Sequence, residues 1–162
     1  MHWGENFKSE YLEELRGFLG EALEHASYGS SGIQSSEYDG ADFLRYQRGW
    51  WAYEDSWYGG QPFSGLAIVY YHQKACWTLA YRGRVFDAAN KRRVLECLRA
   101  SLRAYDPTRP LRGPGLYIAE NGLRYINYAS GDIDEFDGEE KILDSNTIIY
   151  KMNYHGGLVD IR

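Results

Sequence analysis

The segment Phe63-Ser64-Gly65-Leu66-Ala67-Ile68-Val69-Tyr70-Tyr71 decides how this chain is read, because its outline returns 73 positions later as Phe136-Asp137-Gly138-Glu139-Glu140-Lys141-Ile142-Leu143-Asp144. Carried outward without a gap, the same offset pairs Gly49 with Gly122, Tyr81 with Tyr154, Gly83 with Gly156 and Asp87 with Asp160. Conservative pairs fall in the same frame: Val69 with Ile142, Trp77 with Tyr150, Leu79 with Met152 and Val85 with Leu158. The matches land on the same predicted turns and inward strand positions in both copies, which marks an internal repeat. Two copies are too few for a solenoid. The expected outcome is a pseudo-twofold in which two sheets, each backed by its own helix, share one core.

Each copy opens with a helical pattern. Leu12, Leu15, Phe18, Leu19, Ala22 and Leu23 recur at helical spacing with Glu on the remaining faces, and Ser9 is the expected N-cap. The Tyr28-Gly29-Ser30-Ser31-Gly32 run predicts a flexible surface loop. A second helix carries Val94, Leu95, Leu98, Leu102 and Tyr105, with Asp87 or Asn90 as its cap and Pro107 as its stop. Strand-like runs follow at 43–46, 50–55, 63–71 and 75–81, and again at 116–119, 123–128, 136–143 and 148–154. Asn121-Gly122 is a hairpin turn signal. The fold class is therefore α+β: an internally duplicated helix plus four-stranded antiparallel sheet within a single domain 1–162, its halves at 9–87 and 88–162. The connector 106–114 holds three of the four prolines and should be stiff.

Composition narrows the function classes. Aromatic residues make up 16% of the chain, more than a core strand requires, which points to rings in a packed interior or at a site. A net charge of −5 leaves no overall basic footprint for a phosphate backbone, so nucleic acid is disfavoured as a partner. Cys76 and Cys97 are far apart in apolar segments, as expected of buried free thiols in a reducing compartment, and a cytoplasmic location fits. Neither a leader-like start nor an apolar run of about 18 residues is present, so secretion and membrane insertion are not expected.

Four stretches together resemble a known family: Tyr53-Glu54-Asp55-Ser56-Trp57-Tyr58-Gly59-Gly60-Gln61-Pro62-Phe63-Ser64-Gly65, Arg109-Pro110-Leu111-Arg112-Gly113-Pro114, Phe136-Asp137-Gly138-Glu139-Glu140 and Tyr154-His155-Gly156-Gly157. They are similar to the bacterial domain-of-unknown-function family numbered 5680, over nearly the whole chain. The family has no assigned reaction. Some members resemble regulators with an N-terminal helix-turn-helix, which implies that this domain is their ligand- or partner-responsive part. The family pattern of Glu after Phe-x-Gly, and of Met-Asn-Tyr, is kept in the second half as Glu139 and Met152-Asn153-Tyr154. The first half has Leu66 and Leu79-Ala80-Tyr81 instead. If those polar residues form a site, one of two symmetric copies survives here.

The run from Trp50 to Gly60 is the leading candidate site. Alternation puts Trp51, Tyr53 and Asp55 on one strand face and Trp50, Ala52 and Glu54 on the other, giving an aromatic wall that ends in carboxylates. Such a wall stacks a base or holds a cation over a ring. The competing reading makes one face core and the other a cross-strand aromatic ladder. With Tyr58 beside it, and Arg112 and Glu139 as polar contributions from the second half, this run forms the expected ligand-binding set.

Asp132, Asp134, Glu135, Asp137, Glu139 and Glu140 form the densest acidic cluster, but Phe136 and Asp137 occupy the fifth and sixth positions of the calcium-loop pattern. A solvated strand edge is the better account. His2, His25, His72 and His155 lack metal-ligand spacing, so no metal is assigned. His155-Gly156-Gly157 reads as a strand end at a turn, and no nucleophile elbow, dinucleotide fingerprint or phosphate loop occurs, so no cofactor is assigned. The leading function is a non-catalytic binding module whose aromatic-lined cleft takes a small molecule or a protein segment. The alternatives are an acidic inhibitor or immunity-type protein that blocks a basic macromolecule, and an enzyme using carboxylates such as Asp55 with Glu139.

Overall fold

The computed structural model describes residues 5–27 and 32–160. The start of the chain with His2, and most of the Gly/Ser run including Ser30 and Ser31, lie outside the described residues. Helix α1 spans Glu5–Ser27 and is followed by strands β1 (Gln34–Ser35), β2 (Asp42–Arg48), β3 (Trp51–Gly59), β4 (Phe63–Tyr71) and β5 (Lys74–Val85). A 3-10 turn, Ala88–Asn90, leads into α2 (Lys91–Arg103), and β6 (Leu116–Ile118), β7 (Arg124–Asp132), β8 (Glu135–Asp144) and β9 (Thr147–Leu158) complete the chain. The helix starts earlier than expected: Ser9 lies inside α1 rather than capping it, because polar residues continue a helix N-terminally without adding to its apolar stripe. Asp87 caps the 3-10 turn ahead of α2, accepting from the Ala89 N–H at 3.0 Å, whereas Asn90, at the N-cap of α2 itself, makes no side-chain capping bond.

The expected pair of separate four-stranded sheets is replaced by one continuous antiparallel sheet among the described residues, in the order β1-β2-β3-β4-β5-β9-β8-β7-β6. Two separate sheets would each have left a long bare edge. Joining β5 to β9, from Trp77 opposite Leu158 to Val85 opposite Tyr150, removes both. At the centre of that seam Tyr81 pairs directly with Tyr154, its counterpart 73 positions on. The limits of β3 and β5 recur as those of β7 and β9 at the same offset, and the register break at Val69/Tyr70 recurs at Ile142/Leu143.

The recurring Phe-x-Gly and Tyr-x-Gly pairs have a packing cause. Phe63 lies directly opposite Gly83 and Gly65 opposite Tyr81, and in the second half Phe136 opposes Gly156 and Gly138 opposes Tyr154. A Cβ at any of these glycines would strike the ring across from it. Each glycine is the seat of a cross-strand aromatic side chain.

Both helices pack on the same face of the sheet. Leu15, Phe18 and Leu19 of α1 and Val94 and Cys97 of α2 join Trp51, Val69, Trp77, Tyr125, Phe136, Ile142, Tyr150 and Met152 in one buried cluster. The thiols of Cys76 and Cys97 are buried and free. The opposite sheet face carries Glu54, Leu66, Thr78, Arg82, Asn153, His155, Asp137, Glu139 and Tyr128, all exposed or part-buried.

One departure from the 73-residue frame decides which side chains reach the core. The β3–β4 connection holds three residues, 60–62, and the β7–β8 connection only two, 133–134. Strand β7 is thereby slipped one place against β8, and a one-place slip exchanges the faces of a strand. Opposite Val69 stands Tyr53, and opposite its counterpart Ile142 stands Tyr125; likewise Asp55 faces Ala67 and Asn127 faces Glu140. The structural counterparts of Tyr53 and Asp55 are therefore Tyr125 and Asn127, not the in-frame Ile126 and Tyr128.

Candidate functional site

The face under the helices carries two polar centres. In the second half, Glu140 is wholly buried on β8, where alternation from the buried Ile142 places it on the inner face. Arg112 enters from the connector and grips it with two hydrogen bonds, Nε to Oε2 at 3.1 Å and Nη2 to Oε1 at 2.8 Å. The Tyr125 hydroxyl donates to Oε2 at 2.6 Å and the Tyr150 hydroxyl to Oε1 at 2.7 Å. Burial alone would raise the Glu140 pKa, but the Arg112 charge and these donors hold it below the ordinary glutamate value. Next to it, Asn127 accepts from the Tyr154 hydroxyl at 2.6 Å and donates to the Gly113 carbonyl at 2.9 Å. Every acceptor site of this centre that a carboxylate uses most strongly is taken.

The first-half centre is built from the equivalent positions and left open. Ala67 stands where Glu140 stands, Trp77 where Tyr150 stands, and Asp55 where Asn127 stands. Asp55 accepts one hydrogen bond, from the Tyr81 hydroxyl at 2.7 Å. Among the described residues no other group bonds to Asp55, and the Tyr53 hydroxyl bonds to none. Burial raises the Asp55 pKa above its ordinary value, with Tyr81 and the Arg112 charge opposing it. Burial likewise pushes Tyr53 well above the usual tyrosine value, and the Asp55 charge adds to the shift. Small Ala67 leaves a cleft lined by Tyr53, Asp55, Trp77, Leu79, Tyr81 and Arg112 and roofed by Leu19, Leu23, Pro110 and Leu111. Its cavity volume, ≈ 20 Å³, is room for about one water molecule.

Three of the six expected site residues, Tyr53, Asp55 and Arg112, line this cleft together. Trp51 is buried beside them in the core, with ring centroids 5.7 Å from Phe18 and 4.6 Å from Tyr71. Tyr58 lies apart at the exposed end of β3, donating to Asp39 at 2.7 Å. Glu139 is on the opposite face of the sheet, held by Lys141 at 2.5 Å and Lys151 at 2.8 Å, which keep its pKa low. The sheet thus separates Glu139 from Asp55. It is Glu140, one residue on, that meets Arg112. The parity of Ile142, readable from its pairing with Val69 in the repeat, is the signal that distinguishes the two. Tyr81, Tyr125, Tyr150 and Asn127 complete the two centres, and the slip of β7 concealed Tyr125 and Asn127.

The acidic run does not form a solvated edge, because β8 is an interior strand. Asp132 pairs with Arg16 at 3.1 Å, Glu139 with two lysines and Glu140 with Arg112. A larger concavity of ≈ 790 Å³ lies on the open sheet face between Thr78, Ser130, Asp134–Asp137 and His155–Leu158. It is a shallow, solvated groove, and His155-Gly156-Gly157 forms the last part of β9 there, which ends at Leu158. Among the described residues no His, Cys, Asp and Glu side chains cluster so as to hold a metal ion, and no helix is long and apolar enough to cross a membrane.

The fold and the site define an α+β domain with one helical layer on a single antiparallel sheet and a polar seam beneath the helices. A family model described as a domain of unknown function (DUF5680) matches residues 55–159, well over half of the 162 residues, and the chain belongs to that family. No curated protein and no solved structure matches it.

Proposed function

We propose that this domain is a non-catalytic binding module and that its site is the cleft at Tyr53, Asp55, Tyr81 and Arg112. One observation carries the reading: of two equivalent centres, the second has its hydrogen bonds filled from within the chain, and the first keeps a part-buried carboxylate and a phenol with unused capacity. A carboxylate raised in pKa by burial and set in an apolar-walled recess is the usual mark of a binding position. Asp55 and Tyr53 offer acceptors and a donor, Arg112 offers the Nη1 group that Glu140 does not use, and Trp77, Leu79 and Leu23 supply the apolar wall. The recess as it stands admits about one water, so a larger occupant enters by displacing Pro110 and Leu111, which belong to the connector and to no helix or strand. The same equivalences support descent of the two halves from one duplicated unit, with the site retained in one of them.

Native mass spectrometry of the protein purified from its source cell tests the reading. A retained small molecule in the wild type that is missing from Asp55→Asn, with both proteins folded, is the expected result. A bare wild type across preparations, or a retained mass indifferent to Asp55→Asn and Tyr53→Phe, overturns it.

A further inference from the structure

The two outer edges of the sheet are treated differently, and the difference points to a second binding surface. Strand β2 at one end is covered by β1, a two-residue strand whose Gln34 and Ser35 pair with Phe43 and Asp42. Strand β6, which falls at the β2 position of the 73-residue frame, has no such cover among the described residues. Its hydrogen bonds to β7 run through alternate residues: the Gly115 carbonyl accepts from Asn127 at 3.1 Å, and the Ala119 N–H donates to Leu123 at 2.9 Å. In an antiparallel ladder this turns the N–H and C=O groups of Leu116 and Ile118 outward, toward the bare edge. Their side chains are each 60% exposed on the open sheet face, continuous with Ile126 and with Tyr128, which is 73% exposed.

Natural edges are usually protected by charges, bulges or a covering segment. This one carries Leu-Tyr-Ile without a charge, bulge or cover, and only its length of three residues and Pro114 before it limit the bare edge. The local charge is also distinctive in an acidic chain. Lys141 and Lys151 share the single carboxylate of Glu139, and Arg124, beside Ile118, makes no ion pair among the described residues and has a buried Nε without a partner. The nearest opposing charge along β6 is Glu120, in the turn beyond the strand.

We propose that β6 receives an added antiparallel strand from a partner: an extended peptide segment with alternate apolar side chains and acidic residues. Main-chain bonds to Leu116 and Ile118 hold it, the apolar face of Leu116, Ile118, Ile126 and Tyr128 selects its alternate side chains, and the unbalanced cations select its charge. A second copy of the chain is a poorer occupant. Four side chains at a short edge fall well below the roughly 800 Å² per partner of a stable interface, and a copy would bring the same excess of positive charge.

The test uses a short synthetic peptide of alternating valine and threonine with aspartate at both ends, and a control with lysine in place of aspartate. Amide hydrogen exchange is followed by NMR on the full chain. The aspartate peptide slows exchange at Leu116 and Ile118, and the lysine peptide binds about tenfold more weakly. Ile118→Pro removes the outward N–H but no bond of the β6–β7 ladder, so it abolishes binding with the melting temperature retained. Arg124→Gln narrows the gap between the two peptides, and this arm stands even if Ile118→Pro fails to fold. The proposal is overturned if neither peptide protects those amides, if protection survives in folded Ile118→Pro, or if the amides are protected without peptide in a concentration-dependent way, which would assign the edge to a second copy.

Discussion

Glu140 and Asp55 lie under the same helices, on the same sheet face, one on each side of the central Tyr81–Tyr154 pair, and the chain handles them in opposite ways. Glu140 receives four hydrogen bonds from three residues and is held ionised. Asp55 receives one and is pushed toward its protonated form. The difference traces to two facts of sequence: Ala67 in place of a second buried acid, and a single Arg112 that the connector delivers to the second-half side. An acid drawn partly out of water without full compensation lowers stability, so the presence of Asp55 beside a saturated counterpart argues for use rather than architecture.

The comparison breaks first where repeat mates differ in burial. Phe136 is buried and stacks on Trp77, ring centroids 5.5 Å apart, whereas Phe63 is part-buried against the edge of the core. Phe136→Ala is expected to cost about 3–5 kcal/mol and Phe63→Ala clearly less. Urea unfolding of both variants measures the gap; equal losses would show that the halves pack alike.

A smaller effect sharpens what the halves share. Gly65→Ala and Gly138→Ala each place a methyl against the tyrosine ring opposite, Tyr81 and Tyr154 respectively, and each is expected to cost about 1–3 kcal/mol. Because Tyr81 also donates to Asp55, Gly65→Ala should disturb the cleft as well, and Gly138→Ala should not. Melting temperature reads the first effect and ligand retention the second. A harmless Gly65→Ala would remove the packing account of the repeat.

Much of this was legible before any coordinates. The eight main strands and both helices follow from period and turn residues, and the family follows from Tyr53–Gly65 and the Arg109–Pro114 connector. The single continuous sheet was not legible, since nothing local in β5 or β9 states that Tyr81 will find Tyr154 rather than lie at an edge. Strand β1 is two polar residues with no pattern to read. The slip of β7 hid Tyr125 and Asn127, because one residue of loop length, invisible to an ungapped frame, exchanges the faces of a strand. Tyr53 and Asp55 are readable from the excess of rings and carboxylates in the 50–60 run, and Arg112 as a polar contribution from the second half, but one position of parity separates Glu139 from Glu140, which meets Arg112.

The most direct test compares Glu140→Gln with Asp55→Asn by urea unfolding at neutral and mildly acidic pH. Glu140 has a lowered pKa, so its contribution is present above the ordinary carboxylate range and is lost as pH falls through the lowered value. Asp55 has a raised pKa, so its contribution is present below its unfolded pKa and fades as pH rises through the raised value. At neutral pH Glu140→Gln is therefore expected to lose about 3–5 kcal/mol, because the part-buried Arg112 is left without its counter-charge. Asp55→Asn should be as stable as wild type or more so, and should lack the gain that wild type shows as pH falls toward the ordinary aspartate range. A loss in Asp55→Asn comparable to that in Glu140→Gln would contradict the account, making both carboxylates structural and leaving the cleft without a claim to function.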